Sequence, residues 1–83
     1  MRTRQHAIDA RIGVCITEAR LRAGLSRERL ARKLGMSAGQ ITNWEKGHSE
    51  PGATRLYEVL TATGATLVID GQRQRLALKN GSD

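Results

Sequence analysis

The chain has 83 residues, 39 % of them hydrophobic and 27 % charged, with a formal net charge of +6 at neutral pH. That length suits one domain with a modest core, since so short a chain buries only about 60–65 % of its unfolded surface. No apolar run approaches the ~20 residues that span a bilayer, the Arg-containing N-terminus lacks a signal-peptide pattern, and the lone Cys15 excludes a disulfide framework. Cys15 is expected as a small buried hydrophobe in a reducing cytoplasm.

The charge is unevenly placed. Residues 1–34 hold nine basic residues (Arg2, Arg4, Arg11, Arg20, Arg22, Arg27, Arg29, Arg32, Lys33) against Asp9, Glu18 and Glu28, while residues 35–83 hold five of each sign. The whole excess of +6 therefore sits in the first 34 residues. Such a field points to a polyanion, most often nucleic acid. The alternative is a solvated face that only keeps the protein soluble.

In chain order, Ile8, Ile12, Cys15, Ile16 and Ala19 recur at helical spacing and predict a first helix from about residue 6 to Ala23, stopped at Gly24. Ser26 then caps a second helix, Arg27 to Leu34, with Leu30, Ala31 and Leu34 inward and Glu28 suiting the helix dipole in the first turn. Gly35 supplies a residue able to take positive φ, and Ser37 caps a short third helix reaching toward Gly47. Its inner face holds Ile41 and Trp44, and Met36 also joins the core. The two helices with "LGMS" between them have helix-turn-helix spacing. "GHSEPG" is a loop, and a fourth helix runs from about Ala53 to Thr63, with Ala53, Leu56, Val59 and Leu60 inward and Gly64 closing it.

Beyond Gly64 the composition turns β-branched. "ATLVIDGQRQRLAL" predicts a β-strand or hairpin over residues 65–79, and the tail "KNGSD" is expected to be disordered, most clearly over 80–83. A type II′ turn at Gly71-Gln72 would pair Ile69 with Gln74, Leu67 with Leu76 and Ala65 with Leu78, with Asp70 opposite Arg73 and Val68 opposite Arg75. A lone hairpin is marginal and leaves open edges. Strand pairing between two chains is therefore expected to make residues 65–79 a dimerisation segment, with a hairpin folded back on its own helices as the alternative.

The stretch "GLSRERLARKLGMSAGQITNWEKG", followed by a loop and Pro51, resembles the Xre/Cro-type helix-turn-helix of the lambda-repressor-like fold. The likeness covers residues 12–63 and rests on four pieces taken together. They are "IxxxIxxxR" (Ile12, Ile16, Arg20), the "GLS" start of helix 2, "LAxKLGMS" at the turn and "IxxWExG" ending helix 3. Helix 2 of such proteins usually begins Thr/Ser-Gln, and Arg27 stands here in place of the Gln. The resemblance implies a mainly α, four-helix DNA-binding domain over residues 1–64 followed by the C-terminal β-segment.

A recognition helix reads bases from its N-terminal residues in the major groove, while phosphate contacts position the protein. Ala38, Gly39, Gln40, Asn43 and Arg27 are accordingly the expected base-reading set. Ala38 and Gly39 would let the backbone approach closely, and Gln40 and Asn43 suit adenine. Arg20, Ser26, Ser37, Thr42, Lys46 and His48 are the expected phosphate set. The resemblance also implies a structural ion pair, Arg20 with Glu45. With one Trp and one Tyr in the chain, Trp44 is expected in the core and not as a stacking platform.

His6, His48 and Cys15 lack metal-ligand spacing, and no catalytic triad, paired carboxylates or phosphate-cradling Gly loop is visible. The expectation is a non-enzymatic protein without metal or cofactor. It would be a cytoplasmic, nucleoid-associated transcriptional regulator, most simply a homodimeric repressor on a near-palindromic double-stranded DNA operator. Small members of the family with a strand after four helices are often autoregulating antitoxins that bind a cognate toxin, which is the favoured subtype. The rival is a protein-binding module that keeps the fold but has no operator.

Overall fold

The computed structural model describes residues 2–70 and 75–80, with side chains described from Arg11 to Val68. Helix α1 spans Arg2–Arg22, α2 Arg27–Leu34, α3 Ala38–Glu45 and α4 Ala53–Thr63, followed by strands β1 (Ala65–Asp70) and β2 (Arg75–Asn80). Among the described residues no helix is long and apolar enough to cross a membrane.

The local signals for α2 and α3 act as their chemistry dictates. The Ser26 hydroxyl oxygen accepts the Arg29 N–H at 3.1 Å, and that of Ser37 accepts the Gln40 N–H at 3.2 Å, so each helix begins with one otherwise orphaned donor satisfied. Gly35, at φ 67°, ends α2 in the left-handed region. There the Gly35 N–H bonds the Arg32 carbonyl and the Met36 N–H bonds the Ala31 carbonyl, which closes the tight turn between the two helices.

Helix α1 starts four residues before the expected residue 6, because nothing in "RTRQH" breaks a helix. The core is built from one face of each helix: Ile16, Leu30, Ala31, Ile41, Trp44 and Val59 are buried together. Ile12, Leu25, Leu34, Met36, Leu56 and Ala62 pack around them. Cys15 is a buried free thiol, and burial pushes its pKa up. One expected inward residue is misplaced. Ala53 is exposed, since it opens the first turn of α4 beyond the reach of the core.

The C-terminal segment is a two-stranded antiparallel hairpin. Its register differs from the expected one by two residues: Ala65 pairs with Asn80, Leu67 with Leu78, Val68 with Ala77, Ile69 with Leu76 and Asp70 with Arg75. Four residues, 71–74, therefore separate the strands. The expected Gly71-Gln72 turn and the Arg73 and Gln74 pairings fall on those positions, outside the described residues. Strand β2 also takes in Lys79 and Asn80, which the composition assigns to the tail. Within the chain β2 lies against α1 and β1 against α4, and Leu67 is half-buried while Thr66 and Val68 are exposed.

Candidate nucleic-acid interface

The start of α3 is small, polar and open. Gly39, Gln40 and Asn43 are exposed, and Gln40 and Asn43, three apart, share one helix face. A Cβ on Gly39 would meet only the Ser37 hydroxyl, at 3.9 Å, so the fold itself has room for a larger residue there. Ala38 is half-buried against the core cluster, which gives its methyl a packing role that the sequence does not announce.

The expected phosphate set divides by hydrogen-bond chemistry. The oxygens of Ser26 and Ser37 act as acceptors in their caps, which leaves each O–H proton available as a donor. Thr42 differs. Its hydroxyl donates to the Ala38 carbonyl at 3.1 Å, so its single proton is used within α3. Lys46 and His48 are exposed after the end of α3, where the His48 N–H and the Gly47 N–H bond the Asn43 and Trp44 carbonyls.

Behind this surface lies a cluster of three charged side chains. Glu45, at the end of α3, has a side chain only 2 % exposed. Arg20 of α1 donates to it twice, from Nε to Oε2 at 2.7 Å and from Nη2 to Oε1 at 3.2 Å, and its Nη1 donates to the Leu25 carbonyl at 3.0 Å. The ion pair implied by the family resemblance is present. Arg20, also in the expected phosphate set, is 8 % exposed, and its three guanidinium nitrogens all donate within the protein.

A second arginine joins the same carboxylate. Arg27 donates from Nε to Glu45 Oε1 at 2.9 Å, with its side chain 39 % exposed. Among the described residues its Nη groups carry no hydrogen bond. Burial by itself would raise the Glu45 pKa, but the hydrogen bonds and charges of Arg20 and Arg27 outweigh it and hold the carboxyl below its ordinary value.

Two further residues matter to the site and escape a reading of the sequence. Gly13 of α1 is buried where α1 crosses the end of α3, and a Cβ there would lie 2.5 Å from the Trp44 carbonyl oxygen. Arg55 of α4 donates from Nη1 to the Leu34 carbonyl at 2.7 Å, satisfying one of the orphan acceptors at the end of α2. The signal for Gly13 is that it is the single glycine inside an otherwise periodic α1. Arg55 leaves no signal, since nothing on α4 marks which carbonyl it reaches.

Four helices, a left-handed Gly35 turn, and a third helix with an uncharged exposed start and an end braced by an Arg–Glu–Arg cluster define a helix-turn-helix unit. The helix-turn-helix family model matches residues 16–69, well over half of the chain. The chain belongs to the Xre/Cro-type, lambda-repressor-like helix-turn-helix family, a family of DNA-binding proteins and not of enzymes. A Rhodospirillum rubrum protein described as "uncharacterized transcriptional regulator in ATPase CF(0) region" is 37 % identical over 57 residues, covering 69 % of this chain and 53 % of that protein. The chain thus spans about half the length of that relative. No solved structure matches the chain significantly.

Proposed function

We propose that the protein is a sequence-specific, double-stranded DNA-binding transcriptional regulator, acting as a homodimeric repressor that occludes a promoter. The observation that carries this reading is the exposed start of α3. It presents Gly39, Gln40 and Asn43 and no charge, next to capping hydroxyls and cationic groups. Small groups permit close backbone approach, the two amides match the acceptor–donor edge of adenine, and Ser26, Ser37, Lys46 and His48 supply phosphate contacts around them. A promoter-bound regulator of this kind works in the cytoplasm, at the nucleoid. A toxin partner has no separate support among the described residues, and the reading rests on DNA alone.

The hairpin pairs within the chain, with β2 against α1 and β1 against α4. What a second copy supplies is a neighbour for a free strand edge, with the two α3 helices set about 34 Å apart to meet successive turns of the groove. Selection of bound fragments from a random duplex pool tests the function. Wild type should enrich a near-palindromic consensus, and Asn43→Ala and Gln40→Ala should each lose about 1–3 kcal/mol of discrimination at one position in each half-site. Failure of the wild type to enrich any sequence at ~0.15 M salt would overturn the proposal.

A further inference from the structure

We propose that Glu45 is a positioning residue for DNA recognition: it holds the Arg27 guanidinium by Nε so that the opposite Nη1–Nη2 edge is presented to one guanine. This rests on the reading that the chain binds DNA. A guanidinium is planar and has more than one edge that can offer two parallel N–H donors. In this protein the Nε side of Arg27 is occupied by Glu45 Oε1 at 2.9 Å. Arg20 Nε holds the other carboxylate oxygen at 2.7 Å, and Glu45 meets Arg27 through Oε1 alone. The end-on edge is thus the one left for a ligand.

The bracing is unusually firm for a half-exposed arginine. Glu45 is almost fully buried, it is gripped at two points by Arg20, and Arg20 is itself tied to the Leu25 carbonyl. A chain of hydrogen bonds therefore fixes Arg27 relative to both α1 and the end of α3. The charge count points outward too. One carboxylate faces two guanidiniums, and the uncompensated positive charge resides on the more exposed of them.

Orientation discriminates between possible acceptors. A phosphate accepts donors from many directions, and a freely rotating lysine serves it well. Guanine O6 and N7 are two acceptors fixed in one plane, and they reward a fork that is already aligned. Helix α3 carries no basic residue, so it has no guanidinium fork of its own for guanine O6 and N7. Arg27 supplies that missing group from the neighbouring helix.

The test compares wild type with Arg27→Lys, Glu45→Gln and the double variant by selection from a random duplex pool, with the salt dependence of binding measured alongside. Wild type should prefer guanine at one position of each half-site. Arg27→Lys should reduce that preference about 10-fold or more while leaving the salt slope nearly unchanged, because the charge is kept and the fork is lost. Glu45→Gln should weaken the same preference when Arg27 is present and have no further effect on it when combined with Arg27→Lys. If Arg27→Lys leaves the guanine preference intact, Arg27 is a phosphate ligand and the proposal is overturned. Should Glu45→Gln fail to fold, exchange of the Arg27 Nε–H in the free wild-type protein decides. Protection from solvent supports bracing, and exchange at the rate of a free arginine refutes it. Absence of any consensus for the wild type would instead refute DNA reading itself, which keeps the two failures distinct.

Discussion

Gly13→Ala is the substitution for which the structure makes the sharpest forecast, because two opposed effects have separable sizes. In an exposed helix interior, alanine stabilises by roughly 1 kcal/mol relative to glycine. At Gly13 the new Cβ would lie 2.5 Å from the Trp44 carbonyl oxygen, 2.8 Å from that of Glu45 and 3.2 Å from the Glu45 carbonyl carbon. Ordinary contact begins near 3.4 Å, so the end of α3 must retreat from α1 by most of an ångström. The obstructing atoms are backbone and cannot rotate aside. Overpacking of this kind costs about 1–3 kcal/mol, and here the higher end applies, for a net loss of ~1–2 kcal/mol. In a domain of this size that lowers Tm by roughly 5–15 °C. Gly39→Ala is the internal control: its Cβ meets nothing closer than 3.9 Å, so the same chemical change should raise Tm by a few degrees while reducing DNA affinity if close backbone approach matters. Thermal melts of the two variants followed by circular dichroism make the comparison. A Gly13→Ala protein as stable as the Gly39→Ala protein would refute the close crossing of α1 and α3.

The Glu45 cluster should make stability depend on acid. Its carboxyl is held below the ordinary value in the folded state, so its contribution is complete above the ordinary carboxylate range and disappears as pH falls through the folded value. Urea melts from about pH 6 down to about pH 3 should show that loss, and Glu45→Gln should flatten it; equal slopes for both proteins would contradict the assignment. Arg55→Ala removes the 2.7 Å bond to the Leu34 carbonyl, and because the side chain is 40 % exposed the expected cost is only about 1 kcal/mol, read as a Tm lowered by several degrees. Truncation after Gly64 should yield a monomer by light scattering with weakened operator binding, and a shortened protein that stays dimeric would place the dimer interface elsewhere.

What the sequence discloses and what it hides follow one physical division. Ser26, Ser37 and Gly35 mark helix ends because each bonds groups within a few residues of itself, so the boundaries of α2 and α3 are legible. The Arg20–Glu45 pair, 25 residues apart, is reached only through the family resemblance. The Arg27–Glu45 bond and the Gly13 crossing are not reached at all, since neither leaves a periodic trace in the chain. The hairpin shows a different limit. A shift of two residues returns every side chain to the same face of the strand, so apolar alternation cannot distinguish Leu67 opposite Leu76 from Leu67 opposite Leu78. Only the connection between the strands decides, and "DGQRQ" fits more than one loop length.

The placement of charge bears on why the expected reading helix is the least basic of the first three. Of the basic residues with described side chains in the first 34, Arg20 is committed to Glu45, Arg27 is half committed, and Arg22 sits 3.8 Å from Glu18. Arg11, Arg29, Arg32 and Lys33 remain exposed, the last three gathered around one shallow depression of α2. Charges on an exposed surface act over roughly 8–10 Å at physiological salt and attract any phosphate backbone with equal strength. The same charges on α3 would add affinity for every sequence alike and so dilute the difference between right and wrong sites, which is what specificity consists of. In the proposed reading, an exposed α3 face without charge lets Gln40 and Asn43 contribute only where their hydrogen bonds are met. Arg27 would be the exception that fits the rule, with Glu45 confining it to one orientation and making a general attraction selective.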